Sequence, residues 1–217
     1  MPETQHFTNI VFGSGTGGKI VAWTLAEEGQ PTATVERKWI GGSCHNVACL
    51  PSKNVIYSAK VASLFGRAAE FGIETGAYSI NMGRVRERKR KMVDADVKEH
   101  LAKYKQTGTD LILGKGRMIG PRTLEVKTRD GTTRRLTADR VILNLGTHAT
   151  IPDVGGLAAA RPMTHVEALE LDRVPSHLVI VGGGYVGIEF GQAMKRFGSQ
   201  VTVVEKGSQL LSSRVVN

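Results

Sequence analysis

The segment "NIVFGSGTGGKIVAWTLAEEGQPTATVER" (residues 9–37) returns as "LVIVGGGYVGIEFGQAMKRFGSQVTVVEK" (residues 178–206), without a gap and at a constant offset of 169 (178 minus 9). Each copy opens on a short apolar run, Ile10-Val11-Phe12 or Val179-Ile180-Val181, that reads as a buried strand. Each then carries G-x-G-x-x-G: Gly13, Gly15 and Gly18 in the first, Gly182, Gly184 and Gly187 in the second. A helix-period stretch follows, closed by Gly29 or Gly198 in the C-cap position. A second β-rich run ends in an acid, Glu36 or Glu205, each 23 residues after its first glycine.

This spacing has a physical reading. The first glycine permits the strand-to-helix turn, the second lets a pyrophosphate approach the backbone, and the third lets helix pack on strand. The helix N-terminus offers unpaired N–H groups and partial positive charge to phosphate. The acid accepts hydrogen bonds from ribose hydroxyls. One glycine-rich turn is weak evidence, but here the strand–turn–helix–strand–acid context occurs twice. Two dinucleotide sites in one chain suggest a flavin exchanging electrons with a nicotinamide. Glu205 repels a 2′-phosphate and so favours NAD over NADP, although the neighbouring Lys206 weakens that preference.

Between the two copies lies "GGSCHNVACLPSK" (41–53), which holds both cysteines, Cys44 and Cys49. In a regular helix their separation is about 7.5 Å along the axis, beyond the roughly 6.8 Å that a disulfide accepts between Cα atoms. A bridge therefore needs distorted backbone. Pro51 supplies a cause, since it cannot donate to the Val47 carbonyl and pushes Leu50 out of the helical region. A strained bridge is readily reduced, which suits a redox pair. Zinc would need four ligands, and Cys44, His45 and Cys49 make an awkward set. Two inert buried thiols are the remaining alternative.

Composition sets the outer limits. With 217 residues and 26 glycines, the chain suits one large or two small α/β domains. No apolar run is long enough to span a membrane. The N-terminus lacks the pattern of a secretory signal, so the expected location is cytoplasmic. The net charge of +9 owes much to "RVRERKRK" (84–91). A nucleic-acid patch would look like this, but no accompanying motif supports one, and a solvated helix face is the expectation.

These residues resemble the flavin-dependent pyridine nucleotide–disulfide oxidoreductases, a family that includes dihydrolipoamide dehydrogenase, glutathione reductase and mercuric reductase. "GGSCHNVACLPSK" is similar to the family's redox signature, with Ala48 in place of the usual glycine. "GKGRMIGPRTLEVK" resembles the strand pair beside the flavin adenine. "DRVILNLGTHATIPDVGGL" resembles the strand closing the FAD domain, with Leu145 where threonine is common. The resemblance implies an α/β fold with two Rossmann-like dinucleotide folds of the three-layer ββα type. It implies an FAD-binding domain over 1–150, then a linker and the start of an NAD(P)-binding domain over 151–217.

The same resemblance assigns roles. Cys49 would lie beside the flavin as its charge-transfer partner, and Cys44 would meet a disulfide or dithiol substrate. Lys53, four residues after Cys49, would sit near the flavin and pair with Glu189 from "GYVGIEF". Tyr185 would cover the nicotinamide pocket. Gly42, Ser43, Gly116 and Gly146 would join Gly13, Gly15, Gly18, Glu36 and Lys53 at FAD; Gly182, Gly184, Gly187 and Glu205 would hold NAD.

Family members run well beyond the point where this chain stops, and in the complete enzyme a homodimer partner supplies a His-Glu acid–base pair. None of His6, His45, His100, His148, His165 and His177 matches that histidine, so the sequence assigns no general base. The expectation is the N-terminal part of a truncated two-dinucleotide flavoprotein. A metal-ion reductase of the mercuric type, a redox-sensing or dinucleotide-binding module without turnover, and a nucleic-acid binder are the alternatives.

Overall fold

The computed structural model describes residues 4–211, whose contacts gather them into two units. The first contains the residues up to Cys49 together with Val93–Thr150. The second contains Leu50–Met92 and the residues from Ile151 onward.

In the first unit, β1 (Thr4–Phe12) enters the first glycine turn and α1 (Thr16–Glu27) leaves it. The chain returns as β2 (Thr32–Glu36), parallel to β1, with Ile10 beside Ala33 and Phe12 beside Val35. Two longer strands, β3 (Asp110–Gly120) and β5 (Thr133–Leu143), flank this pair in parallel. Between them β4 (Thr123–Thr128) runs antiparallel to both, so the five strands close on themselves. Successive residues of β1 therefore serve different cores. Ile10 packs with Val35, Ile112, Leu124 and Leu136 inside the ring. Val11 packs with Ala22, Ile40 and Tyr104 on the helical side. Burial on both faces explains the unbroken apolar run in the sequence, at roughly 1.5–3 kcal/mol for each fully buried aliphatic side chain.

In the second unit, β6 (His177–Val181) and β7 (Gln200–Val204) pair in parallel and α6 (Tyr185–Arg196) connects them. Ala193 and Met194 of α6, with Phe197 at its C-cap, share a core with Val55, Ala59 and Ala62, spaced at helical intervals on α3 (Cys49–Gly66). Met82, the first residue of α4 (Met82–Thr107), and Leu169, the C-cap of the short α5 (His165–Ala168), complete it. The outer face of this two-stranded sheet, with Val179, Val181 and Val204, is exposed.

The basic stretch 84–91 is mostly exposed, as expected of a solvated helix face, with Lys89 as the inward exception. Lys89 is only 2 % exposed and pairs with Glu170, which also takes Arg90 at 2.5 Å. Arg86 donates to the Glu170 carbonyl at 3.0 Å, and Arg88 to Asn54 and Ser58. Positions 86, 89 and 90 fall on one face of α4, and that face meets an acid about 80 residues away. Burial pushes the Glu170 carboxyl up, but the bonds from Lys89 and Arg90 prevail and hold it below the usual range. These contacts tie Arg86, Arg88, Lys89 and Arg90 to the rest of the second unit. Among the described residues no helix is long and apolar enough to cross a membrane.

Candidate functional site

The two glycine turns have the same hydrogen-bonding plan, 169 residues apart. Gly13 N donates to the Val35 carbonyl at 2.9 Å, and Gly182 N to that of Val204 at 2.8 Å. Both glycines have positive φ, +109° and +107°, which other residues rarely adopt. A Cβ on Gly18 would fall 2.3 Å from the Gly13 carbonyl oxygen, and one on Gly187 2.5 Å from that of Gly182, so each third glycine lets its helix sit on the turn. The C-terminal ends repeat as well. Gln30 N donates to the Leu25 carbonyl and Ser199 N to that of Met194, closing both helices through left-handed Gly29 and Gly198, one residue beyond the cap position itself.

Each acid braces its own turn. Glu36 accepts from Ser14 N at 3.0 Å and from Lys38 N at 2.7 Å; Glu205 accepts from Gly183 N at 2.7 Å and Gly207 N at 2.9 Å. Those backbone bonds hold the Glu205 carboxyl below the usual range. Glu36 takes two further bonds, from Ser14 Oγ at 2.7 Å and Trp39 N at 3.1 Å, and is 8 % exposed. Four donors fill a carboxylate's lone-pair positions. The Ser14 hydroxyl has only one proton, however, and the Trp39 carbonyl lies 3.1 Å away as a second acceptor. Turning that proton frees a lone pair on Glu36 for a ribose hydroxyl.

Both turns fit a dinucleotide. Gly15 and Gly184 cap α1 and α6 without a side-chain hydrogen bond, leaving the first-turn N–H groups for phosphate. Asn144, which the sequence reading missed, supports the first turn. Its Nδ2 donates to the Gly13 carbonyl at 3.2 Å, and its backbone lies where a Gly13 side chain would be. The available signal was its place at the end of β5, parallel to β1.

The cysteine loop is pressed onto the first turn. Gly42 has φ +79°, and a Cβ there would fall 2.5 Å from the Gly15 Cα. Cys44 then lies on the one-turn helix α2 (Ser43–Asn46), and Asn46 ties α2 back to the carbonyls of Ile40 and Gly42. The helix breaks after Val47, whose φ of −141° is not helical, and α3 begins at Cys49. The expected distortion is thus present, but not at Leu50, which is helical. Pro51 sits in the first turn of α3, where a missing N–H costs no intrahelical bond. Cys44 and Cys49 stand as thiols in hydrogen-bonding contact. Burial pushes the Cys44 thiol up, the bond with Cys49 adds to this, and the Lys19 ammonium pulls the other way.

In the second unit Lys53 and Glu189 form the expected pair, with Nζ at 2.5 and 2.6 Å from the two carboxylate oxygens. Tyr185 starts α6 and is 70 % exposed. Ser43 begins α2. Gly116, in β3, packs against the Phe12 ring and Val35, a close approach that a side chain would obstruct. Gly146 follows β5 at φ +67°, in open surroundings.

A family described as pyridine nucleotide-disulphide oxidoreductase matches residues 7–217. This chain belongs to that family. Members bind FAD and NAD(P). Within the family the chain is 34 % identical over 212 residues to dihydrolipoyl dehydrogenase of Bacillus subtilis, covering 93 % of this chain and 44 % of the relative. It is 27 % identical to a mercuric reductase of Lysinibacillus sphaericus, covering 95 % of this chain and 37 % of that protein. Among solved structures it is similar to the Cu(II) complex of the HOCl-induced flavoprotein disulfide reductase RclA from Escherichia coli, with TM-score 0.81 and 26 % identity over 95 % of this chain and 44 % of that one. The chain thus spans less than half the length of these relatives. The expected family and the α/β dinucleotide-binding fold are both borne out.

Proposed function

We propose that this chain is the N-terminal part of an oxidoreductase that passes electrons between NAD(P)H, FAD and the Cys44–Cys49 pair, and from there to a disulfide or dithiol substrate. The observation that carries this reading is the contact of Gly42 with Gly15, which fastens the cysteine loop to the first nucleotide turn. Residues 1–150 form the FAD domain in this reading, and 151–217 lead into the NAD(P) domain. FAD, when bound, supplies a two-electron carrier able to accept hydride from a nicotinamide and to reduce a disulfide.

The residues of the chain take defined parts. Gly13, Gly15, Gly18, Glu36, Gly42, Ser43, Gly116 and Gly146 hold FAD. Gly182, Gly184, Gly187, Glu205 and Tyr185 hold the nicotinamide dinucleotide, with Glu205 favouring NAD. Lys53, fixed by Glu189, provides positive charge where reduction builds negative charge. Reduction of the Cys44–Cys49 bridge takes up two electrons and two protons. The Cys44 thiolate then attacks a substrate disulfide, forming a mixed disulfide and releasing one thiol. Cys49 attacks the Cys44 sulfur, releases the second thiol and restores the bridge. In the complete enzyme a homodimer partner contributes the acid–base pair.

A metal-ion acceptor is the second reading, favoured by the similarity to mercuric reductase. Among the described residues no group of three or more His, Cys, Asp or Glu side chains is placed to hold a metal. Anaerobic dithionite titration of the FAD-loaded chain tests the common core of both. The wild type is expected to take up twice the electrons of Cys49→Ser; equal uptake would overturn the proposal.

A further inference from the structure

Helix α2 carries Cys44 but has little of its own to hold it in place. It is four residues long, and its Gly42 cap makes no side-chain hydrogen bond. A helix this short does not persist on its own backbone bonds. None of its residues is buried, so packing does not fix it either. Asn46 ties it to the loop before it, and His45 ties it to two helices.

The His45 imidazole is gripped at both nitrogens. Nε2 lies 2.9 Å from Lys19 Nζ of α1, and Nδ1 lies 2.7 Å from Asp96 Oδ2 of α4. An ammonium only donates, so Nε2 must accept; the ring is then neutral and its Nδ1–H donates to the carboxylate. The His45 side chain is only 17 % exposed, which keeps water from competing for these bonds. Lys19 is itself buried and also contacts His100 Nε2. The His100 ring stands edge-on to that of His45, and its Nδ1 fills the space a Gly41 side chain would need. The network therefore bears on the cysteine loop both just before α2 and within it.

We propose that His45 is a positioning residue for the cysteine pair: pinned between Lys19 and Asp96, it holds α2, and with it the adjoining Cys44, against Cys49 while the bridge is open. The two thiols stand in hydrogen-bonding contact in that open state. Thiols held this way meet without a search through loop conformations, so the bridge re-forms at a high effective concentration. His45 acts through Cys44 and takes no part in the chemistry itself. The inference rests on the reading of Cys44 and Cys49 as the exchanging pair.

Bridge closure can be timed without flavin or nicotinamide. One thiolate of the reduced chain attacks one equivalent of an aromatic disulfide, dithiobis(nitrobenzoate), forming a mixed disulfide and releasing one coloured thiolate. The other cysteine thiolate then attacks the protein sulfur, closes the bridge and releases the second. Cys44 and Cys49 are the only cysteines in the chain, so the second, concentration-independent release reports closure alone. In His45→Ala that release is expected to slow about tenfold, and in Asp96→Ala, which keeps the imidazole and both thiols, about threefold. The first release, which needs one thiol only, is expected to change by less than about twofold in both. His45→Gln, whose carboxamide keeps an acceptor for Lys19, is expected to recover part of the loss. A substitution that merely weakened the fold would not slow closure while sparing the first attack. Closure as fast as wild type in folded His45→Ala and Asp96→Ala would overturn the proposal and leave the electron-transfer reading standing. A wild-type chain that releases only one equivalent would overturn both.

Discussion

The two glycine turns are nearly the same object in different settings. Their shared backbone bonds match at the 169-residue offset, from the Gly13 and Gly182 amides to the acids Glu36 and Glu205. Their surroundings differ sharply. Every residue of β2 is buried, whereas β7 alternates between half-buried and exposed positions. Gly13 lies hard against the Asn144 backbone, and Gly182 has open space around it. The turn is therefore dictated by the repeated segment that makes it, while its burial is set by the strands beyond it. In the first unit β3, β4 and β5 close over the pair; in the second, two strands stand together among the described residues.

The strongest way to break this comparison is to place the same methyl group on both turns. Gly13→Ala must adopt positive φ and also bring its Cβ to 2.1 Å from the Asn144 carbonyl oxygen. Gly182→Ala meets only the backbone strain. We expect a loss of about 3–5 kcal/mol in the first case and about 1–2 kcal/mol in the second. Both tryptophans, Trp23 and Trp39, lie in the first unit, so urea melts followed by tryptophan fluorescence report that unit, and far-UV circular dichroism adds the second. Equal losses would show that the surroundings of Gly13 do not matter.

Neutralising the acids is the next contrast. Glu36→Gln turns an amide toward backbone donors in a buried site and is expected to cost about 2 kcal/mol. Glu205→Gln, at a half-buried site with two donors, is expected to change stability by less than about 0.5 kcal/mol in the same melts. A smaller contrast is set by pH. His100 stays neutral in the fold down to about 4, while an ordinary histidine takes up its proton near 6.5. Between those values the unfolded chain binds more protons, so stability falls as pH falls. His100 faces Lys19, His45 and Asp96, and its contribution is a loss of roughly 1 kcal/mol between about pH 7 and 5.5. Tryptophan-detected melts should show it, and His100→Asn should remove it.

The same contrast explains what the sequence could reveal. Glycines at positive φ, a helix N-terminus and a bracing acid are local demands, so the repeat exposed both turns and placed Cys44 and Cys49 after the first. The Lys53–Glu189 pair was legible only through family resemblance, since 136 residues separate its members. Lys19 gave one unheeded signal, a charge on the inward face of α1. Its partner His100, and Asp96 that bonds its other partner His45, come from a helix much later in the chain, and no spacing rule connects them. Lys89 likewise reads as solvent-facing until Glu170 is brought to it. Pro51 misled for a subtler reason: a proline in a first helical turn and one that ends a helix look alike in sequence.

Hydrogen–deuterium exchange on the wild-type chain, with FAD and NADH added separately, bears most directly on the division of labour between the two turns. FAD is expected to slow exchange at residues 13–18 and 36–43, and NADH at 182–187 and around 205. Protection of the same turn by both ligands, or of the second turn by FAD, would contradict the account.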